Sequence, residues 1–416
     1  MFKVHNFILA IVLLMATPLV SAQQALTWEQ VCERFEQNNP TLLAGKINVE
    51  ESKASEITAD LRPNPELNLL LDQVNLFSTH PFQPFSPALA TTTLSYLHER
   101  RHKRELRLES AKDSTAVATS AQSDLERTLL FTLRGAFIQT LQAKAVLDVT
   151  RENLAYYDKV LEVSRERFHA GDIAQVDLDR LELQRVQYES DLQAAEVSLR
   201  TAKIEMLALL NDRTPIEQFE ITGTYDFADQ VQPLADLRQA AVDTRPDLKA
   251  AAESVDKAKA DHKLAIANGS TDPTFTFDGG LNPPIDHYIG FGVTFPLRVF
   301  DRNQGEKLRT QLDIERNQRL VAAAQAQVFS DVDSAYAALS SNLALLRPYK
   351  QKYLEQAVRV RDTIAFSYQH GGASLLDFLS AQGEYRTVQL AYVNLVGSYL
   401  SAASQVNLAV GREVIQ

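Results

Sequence analysis

Residues 181–209 and 381–409 carry the same apolar stripe two hundred positions apart, and few folds accommodate a duplication on that scale. Leu181, Tyr188, Leu192, Ala195, Leu199, Ala202, Met206 and Leu209 answer to Ala381, Val388, Tyr392, Leu395, Tyr399, Ala402, Val406 and Ala409. From the second member on, the steps alternate four and three, the seam of a helix packed along another helix. A period this long describes a supersecondary unit used twice rather than a solenoid module.

The rest of the chain fits two copies. Residues 27–61 read as a helix opened by Thr27, and Arg62-Pro63-Asn64-Pro65 stops it. Leu67, Leu69 and Leu71 then alternate with Glu66, Asn68 and Asp72, the pattern of a half-oily strand. A Pro/Phe-rich loop to about Leu89 separates it from a partner strand over about 90–99. Between Arg101 and Phe168 there is no proline and one glycine, Gly135, so a single helix about 100 Å long is expected. Ala170-Gly171-Asp172 turns the chain, and a helix over 174–210 returns along its predecessor. The 27–61 and 174–210 helices, stacked end to end, match the long one in length.

The expected organisation is an export signal at 1–22, a first repeat at 23–210, a linker at 211–233 and a second repeat at 234–416. In the second repeat Arg245-Pro246-Asp247-Leu248 echoes Asn39-Pro40-Thr41-Leu42. Its strands alternate Phe275, Phe277 and Leu281 with Thr276, Asp278 and Gly280, then Ile289, Phe291, Val293, Phe295 and Leu297 with Tyr288, Gly290, Gly292 and Thr294. Asn282-Pro283-Pro284 joins them. A second long helix begins near Asp301 or Asn303, is interrupted at Pro348, and turns at His370-Gly371-Gly372.

Composition excludes several functions. Lys3, an apolar stretch from Phe7 to Val20 and Val20-Ser21-Ala22 read as a cleavable signal, and no later segment has the roughly 18 apolar residues of a spanning helix. Any membrane insertion must therefore use strands. Cys32, the only cysteine, lies ten positions past Ala22, so no N-terminal lipid anchor is expected. A formal charge of −11 opposes nucleic-acid binding. No catalytic constellation or cofactor motif occurs, and the histidines beyond the signal, His80, His98, His102, His169, His262, His287 and His370, show no paired metal-ligand spacing.

Strands that are oily on one face and small or polar on the other suit a membrane barrel with a wet interior. Four strands do not close one, and an open edge in lipid leaves backbone groups unpaired, so several chains must share a barrel. Two copies give eight strands and three give twelve; a lumen wide enough for transport favours twelve. The competing reading of the strands is a soluble sandwich core, which inward Gly and Thr would fill poorly. A competing function is a periplasmic adaptor or structural coiled-coil protein.

The stretch Val293-Thr294-Phe295-Pro296-Leu297-Arg298-Val299-Phe300-Asp301-Arg302-Asn303-Gln304-Gly305 resembles the strand-to-helix passage of TolC-like outer-membrane efflux proteins, especially the branch serving cation-exporting pumps of the RND type. The resemblance extends over nearly the whole mature chain, including the turns Phe168-His169-Ala170-Gly171 and Tyr368-Gln369-His370-Gly371. It implies a mainly α protein with four membrane strands per chain and a homotrimer with a twelve-stranded barrel. A periplasmic helical tunnel, docking to an adaptor and an inner-membrane pump, and control by the tunnel tip are implied too. It also makes Asp377 the first candidate for an aperture ring and Asp177 its counterpart. Ser380 stands where some relatives carry a second acid. Crowding of such carboxylates would raise their pKa; the alternative is a solvated acid at a helix start. Gly171, Gly371, Gly372 and His370 form the tip turns, as geometry or as adaptor contacts. Pro296, Asp301, Arg302 and Asn303 lie at the strand-to-helix transition. Arg100, Arg101, His102, Lys103 and Arg104 are expected either to meet lipid phosphates at the barrel rim or to be a solvated helix start.

Overall fold

A computed structural model describes residues 25–74, 88–229, 231–282 and 285–415. The signal segment, His80 and most of the Pro/Phe-rich loop lie outside these. The first copy comprises α1 (Trp28–Asn38), α2 (Pro40–Asp60), β1 (Glu66–Asp72), β2 (Leu89–Leu97), α3 (Lys103–Ala170) and α4 (Gln175–Leu209). The second comprises α5 (Leu234–Thr244), α6 (Pro246–Asn268), β3 (Thr274–Asn282), β4 (Ile285–Thr294), α7 (Gln304–Pro348), α8 (Leu354–Gln369) and α9 (Leu375–Val410). Among the described residues no helix is long and apolar enough to cross a membrane.

α3 runs for 68 residues, about 100 Å. It starts at His102 and stops at Gly171, both in the left-handed region, with φ of 55° and 82°. The duplicated stripe lies inward in both copies: none of its sixteen positions is exposed.

Two expectations are corrected, and the interruption expected at Pro348 takes a definite form. Residues 27–61 are two helices, because Pro40 lacks an N–H and its ring keeps Asn39 out of the helical region (ψ 116°). Asn39 then caps α2, its Oδ1 accepting from the Leu42 N–H at 3.0 Å while its Nδ2 donates to the Leu209 carbonyl. Arg245-Pro246 breaks the second copy in the same way, so the echo between the two copies marked a helix boundary. At Pro348 the helix widens into one π turn, Tyr349–Tyr353, which relieves the proline's missing hydrogen bond without ending the helix. β4 ends at Thr294 rather than Leu297, since Pro296 has no donor for the ladder.

The four strands form one antiparallel sheet in the order β1-β2-β3-β4, leaving β1 and β4 as edges. The helices keep the same lateral order. α2 and α4 flank one side of α3, α6 and α9 the other, and α7 with α8 lies beyond α6 and α9. Three apolar clusters hold this layer: one around Phe35, Leu133 and Phe219 in the first copy, one around Leu339, Tyr399 and Val406 in the second, and one at the tips. The linker wraps the middle of the molecule. Leu26 bridges Ile221, Lys350 pairs with Asp226, and Arg347 pairs with Asp229.

Candidate functional site: the sheet faces and the helical tips

Strand register sorts the sheet into two chemically distinct faces. Leu67, Leu94, Phe277 and Phe291 stand in one row across all four strands, and all four are exposed, Phe291 by 81%. Tyr96, Phe275 and Val293 continue that face. The opposite face carries the row Asn68, Thr93, Asp278, Gly290 and, beside it, Ser95, Thr276 and Gly292. An exposed apolar surface of this extent on one face, against small polar groups on the other, is the pattern of strands between lipid and water.

The root of the sheet divides the basic run. Lys103 is buried, its Nζ donating to the Asp272 carboxylate at 2.5 Å and to the Ser270 carbonyl at 3.0 Å, which ties the start of α3 to the start of β3. Arg104 lies 3.8 Å from Asp60. Arg100, Arg101 and His102 remain exposed. In the second copy Asn303, with φ 61°, takes the place of His102. Its Nδ2 donates to the Ala265 carbonyl and its backbone N–H to Asp301 Oδ1, each at 2.8 Å. The Arg302 N–H donates to Gln304 Oε1, and the Pro296 carbonyl accepts from Thr271 Oγ1. All four transition residues thus take part in the turn that re-aims the chain from strand to helix, Pro296 by ending the ladder.

At the far end the two hairpin tips share one apolar cluster, with Tyr157, Leu178, Leu181 and Tyr188 from the first and Ala365, Tyr368 and Phe378 from the second. Gly171 and Gly371 have positive φ, 82° and 76°, where a β-carbon is strained. Gly372 does not; a β-carbon there would meet Ser367 Oγ at 2.8 Å. The exposed His370 ring turns back, its Nδ1 2.8 Å from the Phe366 carbonyl.

The two aspartates differ. Asp377 is exposed and completes a capping box: its Oδ2 accepts from the Ser374 N–H at 3.1 Å and the Ser374 hydroxyl at 2.7 Å, while Ser374 Oγ accepts from the Asp377 N–H. Those bonds to Ser374 hold the carboxyl below its ordinary value within one chain. Asp177 is half-buried, and Ala174 before it supplies no side-chain cap. Ser380 donates to Glu384 at 3.3 Å. Glu384 is seven residues past Asp377, two turns along the same helix face, so that spacing alone was enough to mark it as a second acid.

Sequence reasoning also missed three arginines that join the two copies near the tips. Arg167 lies over the Tyr368 ring and donates to the Tyr368 carbonyl, and Arg386 lies over Tyr188 and pairs with Asp191 at 2.7 Å. Arg361 is sandwiched between Tyr156 and Tyr385. Partners up to about two hundred positions apart leave no local signal. Elsewhere, Cys32 sits half-buried in α1, where burial and Glu36 push its thiol up to about 11. Among the described residues no group of three or more His, Cys, Asp or Glu is placed to hold a metal ion.

Comparison with known proteins agrees with this architecture. The family model described as outer membrane efflux protein matches residues 31–212 and 237–412. The cobalt-zinc-cadmium resistance protein CzcC of Cupriavidus metallidurans is 22% identical over 391 residues, 93% of this chain and 90% of CzcC. The crystal structure of CusC superposes with a TM-score of 0.78 at 18% identity over 92% of each chain. The open-state MtrE channel of Neisseria gonorrhoeae gives 0.75 at 15% identity, over 93% of this chain and 89% of MtrE. With both helical hairpins and their returns covered by the family model, the chain belongs to the outer membrane efflux protein family.

Proposed function

We propose that three copies of this chain close side by side into the exit duct of a tripartite efflux system, passing solutes through the outer membrane without chemistry of their own. One observation carries the reading: the sheet and the helical layer are open at the same two lateral edges. Among the described residues β1 and β4 lack outer partners, and directly below them α2 with α4 and α7 with α8 present unpartnered sides. Those sides carry exposed Ile47, Ile57, Leu183 and Val186 on one edge and Leu308, Leu312 and Leu320 on the other. The sheet is antiparallel throughout, so β4 of one copy meets β1 of the next antiparallel, and three copies supply twelve strands. The oily sheet face and helices about 100 Å long support an outer-membrane location with the helices in the periplasm.

In that duct Asp377, Asp177 and Ser380, joined by Glu384, line the periplasmic aperture. Gly171, Gly371, Gly372 and His370 present the tip to a periplasmic adaptor, which links it to an inner-membrane pump of the RND type. Arg100, Arg101 and His102 face lipid phosphates at the rim. The substrate class we favour is divalent metal cations. The likeness to a cobalt-zinc-cadmium resistance protein and a carboxylate-lined path offering weak, repeated attraction both support it. The test is outer-membrane fractionation with gel analysis before and after heating, followed by complementation of a deletion strain on cobalt, zinc and cadmium. A heat-sensitive trimer that restores metal tolerance is expected; a water-soluble monomer would sink the duct, and restored tolerance to organic toxicants alone would sink the metal assignment.

A further inference from the structure

We infer that Asp278, at mid-height on the polar face of the sheet, sets a cation preference inside the barrel that is separate from the tip aperture; the inference rests on the trimeric duct proposed above. Asp278 is the fifth of nine residues of β3, and its row holds Asn68, Thr93 and Gly290, each at or within one residue of the middle of its strand. Its carboxylate leans across β4. A β-carbon built on Gly290 would meet the Asp278 Oδ2 and Oδ1 at 2.8 and 2.9 Å, so the missing side chain at Gly290 is the space the carboxylate occupies. Gly292 makes the same room for Thr276, whose Oγ1 would lie 2.5 Å from such a carbon. These two glycines open a groove along the edge strand, and it aims Asp278 at the seam with the next copy.

No opposite charge is at hand. Among the described residues no ion pair or hydrogen bond engages the Asp278 carboxylate, and the four strands contain Glu66, Asp72, Asp278 and Asp286 but no Lys or Arg. Among the described residues the one bond between two side chains on this face, Thr91 Oγ1 to the Tyr288 hydroxyl at 3.0 Å, is neutral. Three Asp278 groups in a barrel therefore leave uncompensated negative charge at its centre.

Geometry decides when that charge is felt. Twelve strands about 4.8 Å apart and tilted by about 40° give a barrel wall about 12 Å from the axis. The screening length is about 30 Å at 0.01 M salt and about 3 Å at 1 M, so the three carboxylates command the whole lumen in dilute salt and only its wall in concentrated salt.

The experiment is the reversal potential of single trimers in planar bilayers under a potassium chloride gradient, in the natural chain and in the Asp377→Ala background, which widens the tip. Asp278→Asn, nearly isosteric, should lower the potassium-to-chloride permeability ratio by about twofold or more in dilute salt and change it little at 1 M. Thr93→Asp, which adds a carboxylate to the same row, should raise it. Ratios unchanged by both substitutions in dilute salt, with conduction intact, would overturn the role of Asp278 and leave the duct standing. A natural chain that fails to conduct would overturn the duct and this inference together.

Discussion

The two hairpin tips are built on one backbone plan and stabilised by different chemistry. The second return helix starts with a complete Ser374–Asp377 capping box, whereas the first starts at Ala174 with no side chain to satisfy its free N–H groups. In exchange, Asp177 is half-buried against the shared cluster, and Arg165 reaches Glu182 across the first hairpin. One tip is held by its own local bonds, and the other by what it packs on. Both copies keep the turn glycines Gly171 and Gly371, which the backbone requires, and the aspartates Asp177 and Asp377; they differ at the cap, Ala174 against Ser374.

That contrast can be broken at its strongest point. Phe378 is fully buried in the cluster common to both tips, so Phe378→Ala should cost about 3–5 kcal/mol locally. Hydrogen exchange should then accelerate at residues 175–182 as well as 375–382; acceleration confined to the second tip would show that the tips are not one unit. Next comes the cap. Ser374→Ala should weaken the start of α9 by about 1 kcal/mol and leave α4 unchanged, while Ala174→Ser should slow exchange at 175–178 by a comparable factor.

Conductance sharpens the comparison further. Asp377→Ala should raise single-channel conductance and weaken cation block, with a smaller change for Asp177→Ala; equal currents would remove both from the aperture. The pH response has a definite sign. A carboxyl held below its ordinary value of 3.8 stabilises the fold above that pH, and the gain is lost as pH falls through the lower folded value. Protection factors at 375–382 in the single chain, with the intrinsic pH dependence of amide exchange divided out, should therefore be flat between pH 7 and pH 5. A loss of protection as pH falls through that window in the trimer would mean that crowding of the three Asp377 groups outweighs the cap. The smallest effect is expected from Arg165→Ala, about 0.5 kcal/mol or less, because the pair is exposed.

Much of this was legible because helices and strands write their periods into the chain. The seam from Tyr188 to Leu209 and its copy, the unbroken run that became α3, and the alternation around Phe277 and Phe291 each reflect one local rule. Where the reading slipped, a local sign had been given the wrong weight. The echo between Pro40 and Pro246 also marks a helix break in each copy, whereas the interruption expected at Pro348 is present and takes the form of a π turn. One member of the basic run departs for another reason. Lys103 looks like its neighbours in sequence, yet it is buried because Asp272, 169 positions on, waits at the root of β3.

The sequence by itself determined the two-copy plan, the length of α3 and the oily and polar faces of the strands, since these follow from backbone geometry and from side chains a few positions apart. Only the tertiary structure decided that β2 pairs with β3 across the copies, that Asp278 lies over Gly290, that Asp377 is already bound to Ser374, and that Arg167, Arg361 and Arg386 join the copies. Those contacts bring together groups whose positions along the chain are unrelated by any period, and their energy exists only once the fold has placed them within a few ångströms of each other.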